Sequence, residues 1–274
     1  ENDRMIKSDF HTHTTYCDGE NSIKEMIDYA VSNGMESIGF SRHSHTPFDE
    51  SYCMSNADTE KYIKEVSVMK RKYSDIEIYL GIERDRFSDI INIERFDYVI
   101  GSVHYVIKDG VYLPVDESRD VFTDNINKYY EGDIFAFCED YYKLLSSFSE
   151  VDNIEIIGHF DLVTKFNEGG CLFDIKNRIY ESAVNNALYK LAAADKILEI
   201  NTGAVSRGYR NTPYPDSDIL VKWRKLGGRI IFSGDAHSCK GLCYRFDEAE
   251  KLAVKCGFDK YVVFKNGKLT EISF

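Results

Sequence analysis

Short apolar runs alternate with amphipathic stretches along most of the chain. The apolar runs are predicted as strands, which cover residues 5–8, 37–41, 76–80, 98–102, 154–158, 197–201, 229–233 and 261–264. The stretches between them are predicted as helices, at residues 22–33, 58–73, 134–147, 175–194, 216–226 and 246–256. The clearest helix start is at Ser22, where Glu25 completes a capping box, and Gly34 marks the end of the same helix.

This alternation of strand and helix predicts a parallel sheet covered by helices. About seven or eight such units indicate a closed or distorted barrel. Residues 106–130 are polar and aromatic without a clear period, and we predict a long loop on the active face there. Because no repeat, low-complexity tract or linker divides the chain, residues 1–274 are predicted as a single domain, with 1–4 as a non-native or disordered start ahead of Met5.

Candidate chemistry is concentrated just beyond the predicted strands. Every histidine follows the end of such a strand and none falls on a helix: His11, His13, His43, His45, His104, His159 and His237. Three acidic residues, Asp18, Glu83 and Asp235, belong to the same layer. Because the ends of parallel strands meet at one rim of a barrel, we expect these side chains to lie close together.

The opening motif is His11-Thr12-His13. Side chains at i and i+2 of a strand point to one face, so the two imidazoles project together. A lone His-x-His is as typical of a satisfied pair as of a metal site, and the placement of the other histidines favours the metal site. One ion takes about four to six ligands. The larger set here predicts two or three clustered divalent ions, with Zn, Mn and Fe left open.

Clustered divalent ions generate a hydroxide nucleophile near neutral pH and neutralise oxyanions. Phosphate-ester hydrolysis requires both effects. Cations beyond the cluster would hold the outer phosphate oxygens, and the candidates are Lys165, Arg207, Arg210 and Arg42. Each is also compatible with a solvated surface charge. Their positions after active-face strands favour Arg207 and Lys165 as phosphate ligands.

Composition and charge narrow the function classes. The chain has 34 basic and 46 acidic residues, and its net charge of −12 disfavours unaided binding to nucleic acid or acidic membranes. No apolar run approaches the ~18 residues of a membrane span. Seven scattered cysteines without a Cys-x-x-Cys pair predict reduced thiols in a cytoplasmic protein. We therefore expect a small phosphorylated substrate, and a monomer or small homo-oligomer.

Six motifs in order resemble the polymerase and histidinol phosphatase (PHP) superfamily, and their spacing resembles the stand-alone histidinol-phosphate phosphatases. They are His11-x-His13 with Asp18-Gly19, Ser41–His43, Gly81-Ile82-Glu83, Ser102-Val103-His104, Gly158-His159-Phe160-Asp161 and Gly234-Asp235-Ala236-His237. The resemblance covers nearly the whole chain. It implies a distorted (βα)7 barrel with three metal ions, and hydrolysis of L-histidinol phosphate in histidine biosynthesis.

The resemblance also implies a role for each site residue. One ion would be held by His11, His13, Glu83 and Asp235, a second by Glu83, His104 and His159, and a third by Asp18, His43 and His237. Asp235 and His237 are thereby implied in catalysis, in which a metal-bridging hydroxide attacks phosphorus. His45 has no ligand role in this pattern, and we hypothesise that it lines the substrate site or donates a proton to the leaving oxygen.

Two positions depart from the family pattern. The residue before the histidine of the second strand is usually acidic and orients the imidazole, but here it is Arg42. Arginine cannot accept that hydrogen bond, which puts the orientation of His43 and the third ion in doubt. Lys165 stands where relatives often carry an arginine, and lysine binds phosphate as a point charge without the bidentate fork.

Three alternative functions stay open from the sequence. The same chemistry could act on another small phosphate ester, such as a sugar phosphate, a nucleotide or phosphotyrosine. An amidohydrolase also begins with His-x-His on its first strand, but it commonly bridges its metals with a carboxylated lysine. The sequence has Glu83 in that layer and no lysine, which counts against this class. The third alternative is a non-catalytic metal-binding barrel.

Overall fold

The computed structural model describes residues 6–89 and 92–274. The strands in these ranges are β1 Ser8–Asp9, β2 Ser37–Phe40, β3 Glu77–Asp85, β4 Tyr98–Ser102, β5 Tyr105–Lys108, β6 Val111–Pro114, β7 Ile156–Ile157, β8 Ile197–Asn201, β9 Arg229–Ser233, β10 Lys260–Lys265 and β11 Lys268–Ser273. The α-helices are α1 Ile23–Ser32, α2 Asn56–Lys72, α3 Arg119–Tyr129, α4 Ile134–Ser146, α5 Arg178–Ala193, α6 Gly203–Ser206, α7 Ser217–Lys225 and α8 Phe246–Lys255.

Eight strands in the described residues pair in parallel, in the order β1-β2-β3-β4-β7-β8-β9-β10. The segments that follow β1 and β9 also meet, because Thr12 forms a parallel bridge with Ala236. The amide of Ala236 donates to His11 O at 3.0 Å, and the amide of His13 donates to Ala236 O at 2.8 Å. This seam curls the sheet into the distorted barrel that the βα pattern predicts. The β10–β11 hairpin extends the sheet beside β9.

Helix α1 illustrates how the outer layer is built. Ser22 accepts a hydrogen bond from the Glu25 amide, and the Glu25 carboxylate accepts one from the Ser22 amide, so the predicted capping box is present. The buried side of the helix carries Ile23, Met26, Ile27 and Ala30. Their spacing of three and four residues forms one apolar stripe, which packs against the barrel.

The lower interior of the barrel, which we call the base layer, is a separate apolar cluster. Its members are Phe10, Tyr79, Tyr98, Ile100, Ile156, Ile197, Ile231, Val262 and Phe264. The Tyr98 ring occupies space that a side chain on a neighbouring strand would need. A Cβ atom at Gly81 would lie 2.2 Å from Tyr98 Cζ. The Tyr98 hydroxyl donates to the carbonyl oxygen of Phe10, directly before His11. The base layer thus packs against the segment that carries the first two histidines.

Residues 106–130 are not a long loop, so that prediction was wrong. Strands β5 and β6 form an antiparallel hairpin, and α3 follows it. The hairpin turns at Asp109 and Gly110, which have φ of 50° and 77°. Positive φ at both central residues is typical of two-residue hairpin turns with an Asp-Gly sequence. The Tyr112 ring stacks on Phe48 with 3.6 Å between centroids, which places the hairpin over the carboxyl ends of the barrel strands.

Several other predictions can be placed on the structure. The predicted first strand overlaps β1 only at Ser8, and its start at Met5 and the predicted irregular start at 1–4 lie outside the described residues. All seven cysteines are unpaired. Across residues 6–89 and 92–274, no helix combines the length and apolar character that crossing a bilayer requires.

Candidate metal centre

The strands and the loops after them bring the predicted ligands to the carboxyl rim of the barrel. Glu83 lies within β3 and is 1% exposed. Its Oε2 is 3.2 Å from His11 Nε2 and 3.0 Å from His43 Nδ1. Its Oε1 is 3.1 Å from His159 Nε2 and 3.5 Å from His104 Nε2. Imidazoles from four separate segments therefore surround one carboxylate.

Asp235 and Asp18 extend this cluster toward solvent. Asp235 Oδ1 lies 3.2 Å from His13 Nε2. Asp18 Oδ2 lies 3.2 Å from His237 Nε2 and 3.5 Å from His43 Nε2. The structure thus brings together all nine residues predicted as metal ligands: His11, His13, Asp18, His43, Glu83, His104, His159, Asp235 and His237.

The donor atoms fit divalent ions. His11 Nε2, His13 Nε2 and Glu83 Oε2 are buried yet lack a hydrogen-bond partner in the part of the chain that the structure describes. A buried polar atom without a partner is costly, and a divalent ion is a suitable partner for unprotonated imidazole and carboxylate. Three groups have ligand atoms within 4.8 Å of one another: His13, Asp18, His43 and His237; His11, His13 and Glu83; and His43, Glu83 and His104.

These three groups differ from the three ligand sets that the family resemblance implies. His13 belongs to two groups, and His43 joins both Asp18 and Glu83. His159 contacts the cluster through Glu83 Oε1. The clustering of ligands around a shared carboxylate is as expected, while the assignment of each ligand to one ion stays a prediction.

Two members of the cluster, His13 and Glu83, have the protonation states that metal ligands need, whereas neighbouring carboxylates raise the pKa of His11 and His43. Burial and the repulsion of His237 and His43 lower the pKa of His13 to about 3, so this imidazole is neutral. Burial would raise the pKa of the Glu83 carboxyl, but the attraction of His11 and His43 outweighs burial and holds that pKa well below its usual value. A neutral imidazole beside an ionised carboxylate is the state in which both can bind a cation.

A cavity of about 660 Å³ opens over this cluster. Side chains of the cluster form its floor, among them His104, His159 and Asp235. The rest of the wall is formed by Asp49, Ser51, Tyr52, Tyr105, Pro114, Asp116, Glu117, Leu162, Lys165, Arg207 and Tyr209. Because small-molecule sites are concave and combine apolar walls with a few polar groups, this cavity is a candidate substrate site.

Two of the predicted phosphate ligands, Lys165 and Arg207, line the cavity. Lys165 Nζ donates to the carbonyl oxygen of Asp116 at 2.8 Å and lies 3.2 Å from its carboxylate. Arg207 donates to His237 Nδ1 at 2.7 Å and to the carbonyl oxygen of Asp235 at 2.9 Å. Both cations thus lie beside the cluster, where they can meet an anion bound in the cavity.

Comparison with known proteins gives the family of this fold and site. A model of the PHP domain matches residues 9–203, which is more than half of the chain. The chain belongs to the PHP domain family. The matched range carries the ligands from His11 to His159, and the seam adds Asp235 and His237 from beyond it.

Relatives of this PHP chain are similar over nearly their whole length. A histidinol-phosphatase of Lactococcus lactis is 26% identical over 277 residues, covering 97% of both chains. A histidinol-phosphatase of Bacillus subtilis is 28% identical over 269 residues, covering 89% of this chain and 98% of the relative. A solved histidinol phosphate phosphatase of Lactococcus lactis, complexed with Zn, L-histidinol and phosphate, superposes with a TM-score of 0.68 at 22% identity. The superposition covers 97% of this chain and 99% of that one, so the two share a fold.

Arg42, a predicted phosphate ligand, does not line the cavity of this PHP chain. Its guanidinium lies 4.2 Å from the centroid of the Tyr16 ring and 4.6 Å from that of Tyr62, and the side chain is fully buried. The nearest carboxylate to His43 Nδ1 is on another strand, with Glu83 Oε2 at 3.0 Å on the cluster side of the ring. Arg42 therefore packs behind the ligand segment and leaves the imidazole free to face the cluster.

Arg210 and His45 also lie away from the cavity wall. The Arg210 guanidinium stacks over the Tyr214 ring at 4.6 Å from its centroid, in a buried position. His45 Nδ1 is 2.6 Å from Asp89 and its Nε2 is 3.0 Å from Glu50, so both ring nitrogens already have carboxylate partners. Neither side chain lines the cavity, and the phosphate contact of Arg210 and the substrate role of His45 stay predictions.

Two buried acids were not identified from the sequence. Glu199 Oε1 lies 2.7 Å from His11 Nδ1, on the side of the ring away from the cluster. Asp9 accepts from the amides of Gly234 and Cys243 at 2.9 and 3.0 Å, and burial raises its pKa to about 6. For Glu199 the available signal was a charged residue inside an otherwise apolar strand, since such residues are rarely buried without a partner.

Proposed function

We propose that this PHP chain is a metal-dependent phosphomonoesterase that hydrolyses L-histidinol phosphate to L-histidinol and phosphate, a step of histidine biosynthesis. The observation that carries the proposal is the rim cluster. There, buried imidazole and carboxylate atoms that have no partner among the described residues lie beside a cavity with two cations. The choice of substrate is supported by relatives named histidinol-phosphatase that align over nearly the whole chain.

The ligand set has the size and composition for two or three divalent ions, with Zn, Mn and Fe as candidates. Such ions lower the pKa of water toward neutrality and stabilise negative charge on phosphoryl oxygens. Glu83 lies between imidazoles from both sides and is the residue best placed to be shared by two ions. Asp235 and His237 would hold ligand positions at the edge that faces the cavity.

The cations of the cavity would orient the phosphate. Arg207 presents a planar guanidinium suited to two phosphate oxygens, while Lys165 offers a point charge. In the described structure Arg207 donates to His237 and Asp235, which fixes the guanidinium next to the ligands. Burial lowers the pKa of Arg207, but the attraction of Asp235 outweighs burial and raises it, so the group stays charged.

The alcohol part of the substrate would occupy the rest of the cavity. Tyr52, Tyr105 and Leu162 line this part and offer aromatic and apolar surface for a small organic group. Unpaired cysteines are typical of a reducing compartment. We therefore place the reaction in the cytoplasm. We also propose that the protein acts as a monomer or small homo-oligomer.

Metal removal and reloading test the proposal. The protein is stripped with a chelator, dialysed, and reloaded with Zn²⁺ or Mn²⁺, and phosphate release is measured from L-histidinol phosphate, a sugar phosphate, a nucleotide and phosphotyrosine. We expect stripped protein to retain less than about 1% of the activity, because the hydroxide and its charge stabilisation are lost. Reloading should restore it, with kcat/KM for L-histidinol phosphate at least about 100-fold above the other esters, or about 2.7 kcal/mol.

The outcomes separate the alternatives. A higher kcat/KM for another ester would keep the phosphatase and replace its substrate. Fully metal-loaded protein that releases phosphate from none of the esters would contradict the proposed activity and favour a metal-binding barrel without catalysis. Mock-treated protein carried through the same dialysis is the control for losses during handling.

A further inference from the structure

Glu199 is a buried carboxylate of β8 that lies directly behind the metal cluster and is 1% exposed. Its Oε1 is 2.7 Å from Nδ1 of His11. The other nitrogen of that ring, Nε2, faces Glu83 at 3.2 Å and Asp235 at 3.6 Å. Glu199 therefore binds the far side of a ligand ring whose near side points into the cluster.

The second oxygen of Glu199 holds a different ligand segment. Oε2 accepts a hydrogen bond from the amide of His159 at 3.1 Å. His159 has φ of +22°, a value that a residue with a side chain adopts only when its surroundings enforce it. The residue before it has no room for a side chain without displacing a neighbour, since a Cβ at Gly158 would lie 2.4 Å from Ser102 Oγ. Glu199 thus stabilises the unusual backbone that directs His159 toward Glu83.

We propose that Glu199 is a positioning residue for the metal centre. It holds His11 and His159 on two sides of Glu83 and keeps the proton of His11 on Nδ1, which leaves Nε2 unprotonated and free to bind an ion. Its own oxygens are occupied by donors, so it does not contact an ion itself. This inference rests on the proposed metal dependence, and it goes beyond the ligand set.

The hydrogen-bond pattern around Glu199 makes glutamine a discriminating substitution. Oε2 also accepts from Asn201 Nδ2 at 3.1 Å. The Asn201 amide cannot rotate without loss, because its Oδ1 accepts from the amide of Gly203 at 2.9 Å. Glu199 thus receives three donors on two oxygens, whereas glutamine has one acceptor oxygen.

Either orientation of a glutamine here disturbs one ligand. With its oxygen toward His11, the NH₂ group opposes the donors of His159 and Asn201. With its NH₂ toward His11, it donates to Nδ1 and drives the imidazole proton to Nε2, the nitrogen that must be free for an ion. In both cases the fold keeps a side chain of the same size, so the expected defect is in metal binding.

The test compares metal affinity in wild type, Glu199→Gln and a matched control, Glu155→Gln. Glu155 directly precedes β7, is partly buried and lies outside the cluster, and its Oε2 lacks a hydrogen-bond partner within the described ranges, unlike the oxygens of Glu199. The Zn²⁺ dissociation constant is measured on stripped protein by competition with a chromogenic chelator, together with the unfolding temperature of the metal-free proteins. We expect Glu199→Gln to weaken Zn²⁺ binding by roughly 10–100-fold and Glu155→Gln to leave it within about twofold of wild type.

Metal affinity distinguishes positioning from a general structural role. A Glu199→Gln protein whose metal-free unfolding temperature falls, yet which binds Zn²⁺ as tightly as wild type, would overturn the proposal. Should that variant fail to fold, Glu199→Asp replaces it. Aspartate keeps two acceptor oxygens on a shorter chain, so a smaller loss of affinity is expected, and unchanged affinity overturns the proposal equally.

The same measurement is independent of the proposed substrate. Wild-type protein that binds Zn²⁺ but hydrolyses no phosphate ester would contradict the proposed activity, while a loss of affinity in Glu199→Gln would still support the positioning role. Equal Zn²⁺ affinities in an active wild type and an equally folded Glu199→Gln would contradict the positioning role alone.

Discussion

The rim and the base layer occupy the same barrel interior but have opposite hydrogen-bonding states. In the base layer the polar atoms of the tyrosines have protein partners: the Tyr98 hydroxyl donates to Phe10 O and the Tyr79 hydroxyl to Glu77. At the rim, His11 Nε2 and Glu83 Oε2 are equally buried without a partner in the described parts of the chain. Both regions draw side chains from the same strands, since Tyr79 and Glu83 both belong to β3.

The difference indicates that the base layer stabilises the barrel, whereas the rim is built to bind a ligand. The base layer buries aromatic and β-branched side chains and is complete without a ligand. The rim concentrates buried polar groups whose desolvation the protein alone does not offset. Substitutions at the rim should therefore reduce activity and metal binding, while substitutions in the base layer should reduce the free energy of unfolding and leave the site intact.

The largest effect is expected from Glu83→Gln. The amide retains the shape of the side chain but loses the negative charge that the surrounding imidazoles and the ions require. Losing about 4 kcal/mol of transition-state stabilisation lowers kcat/KM by roughly 10³-fold, measured as phosphate release at saturating Zn²⁺. The matched control is Glu77→Gln at the other end of β3, which should leave kcat/KM unchanged. A kcat/KM of Glu83→Gln within tenfold of the wild-type value would contradict a central role of Glu83 in the site.

A smaller effect, on stability, is expected from Gly81→Ala, which overpacks the base layer from the same strand. The added Cβ would lie 2.2 Å from the buried Tyr98 ring, which cannot move into solvent. Overpacking of this kind lowers the free energy of unfolding by roughly 1–3 kcal/mol, measured by urea denaturation of metal-free protein. In a Tyr98→Leu background the alanine has room, so its cost there should be smaller. Equal costs in both backgrounds would show that the ring is not the obstacle.

The smallest effect is expected from Tyr98→Phe, which removes only the hydroxyl that donates to Phe10 O. Loss of one buried hydrogen bond lowers the free energy of unfolding by about 1 kcal/mol, while kcat/KM should stay within about twofold of wild type. Tyr189→Phe is the control, because Tyr189 is 67% exposed. A large loss of activity in Tyr98→Phe would mean that the two layers are coupled, contrary to the comparison above.

The barrel and its ligand layer could be predicted because both depend on regular spacing. Strands of a parallel barrel end at one rim, so His104 and His159 could be placed together although their contacts to Glu83 join residues distant in sequence. The closing seam at Thr12 and Ala236 was not predicted in detail, but it follows from the same curl of the sheet.

Side-chain direction could not be predicted. Arg42 and Arg210 follow active-face strands as expected, yet each packs its guanidinium on tyrosine rings away from the cavity. Glu199 shows the reverse case. In the sequence it is a glutamate between Leu198 and Ile200 that interrupts an apolar strand, and only the structure shows its contact with His11. Sequence position gives the layer of a residue, whereas its partners depend on packing between distant segments.

The hairpin of β5 and β6 was missed for a different reason. Its signal was present, since Asp109-Gly110 separates two short runs rich in valine, tyrosine and leucine. The polar residues of α3 hid the helical period after it, and the two elements were therefore treated as one loop.

The seam between Thr12 and Ala236 has a consequence for folding during translation. Its two sides are separated by more than two hundred residues, so the whole segment between them must be synthesised before the histidines after β1 meet Asp235. A nascent chain stalled in the middle of translation would display those histidines without their acidic counterpart. Assembly of the complete ligand set therefore depends on closure of the barrel at this seam.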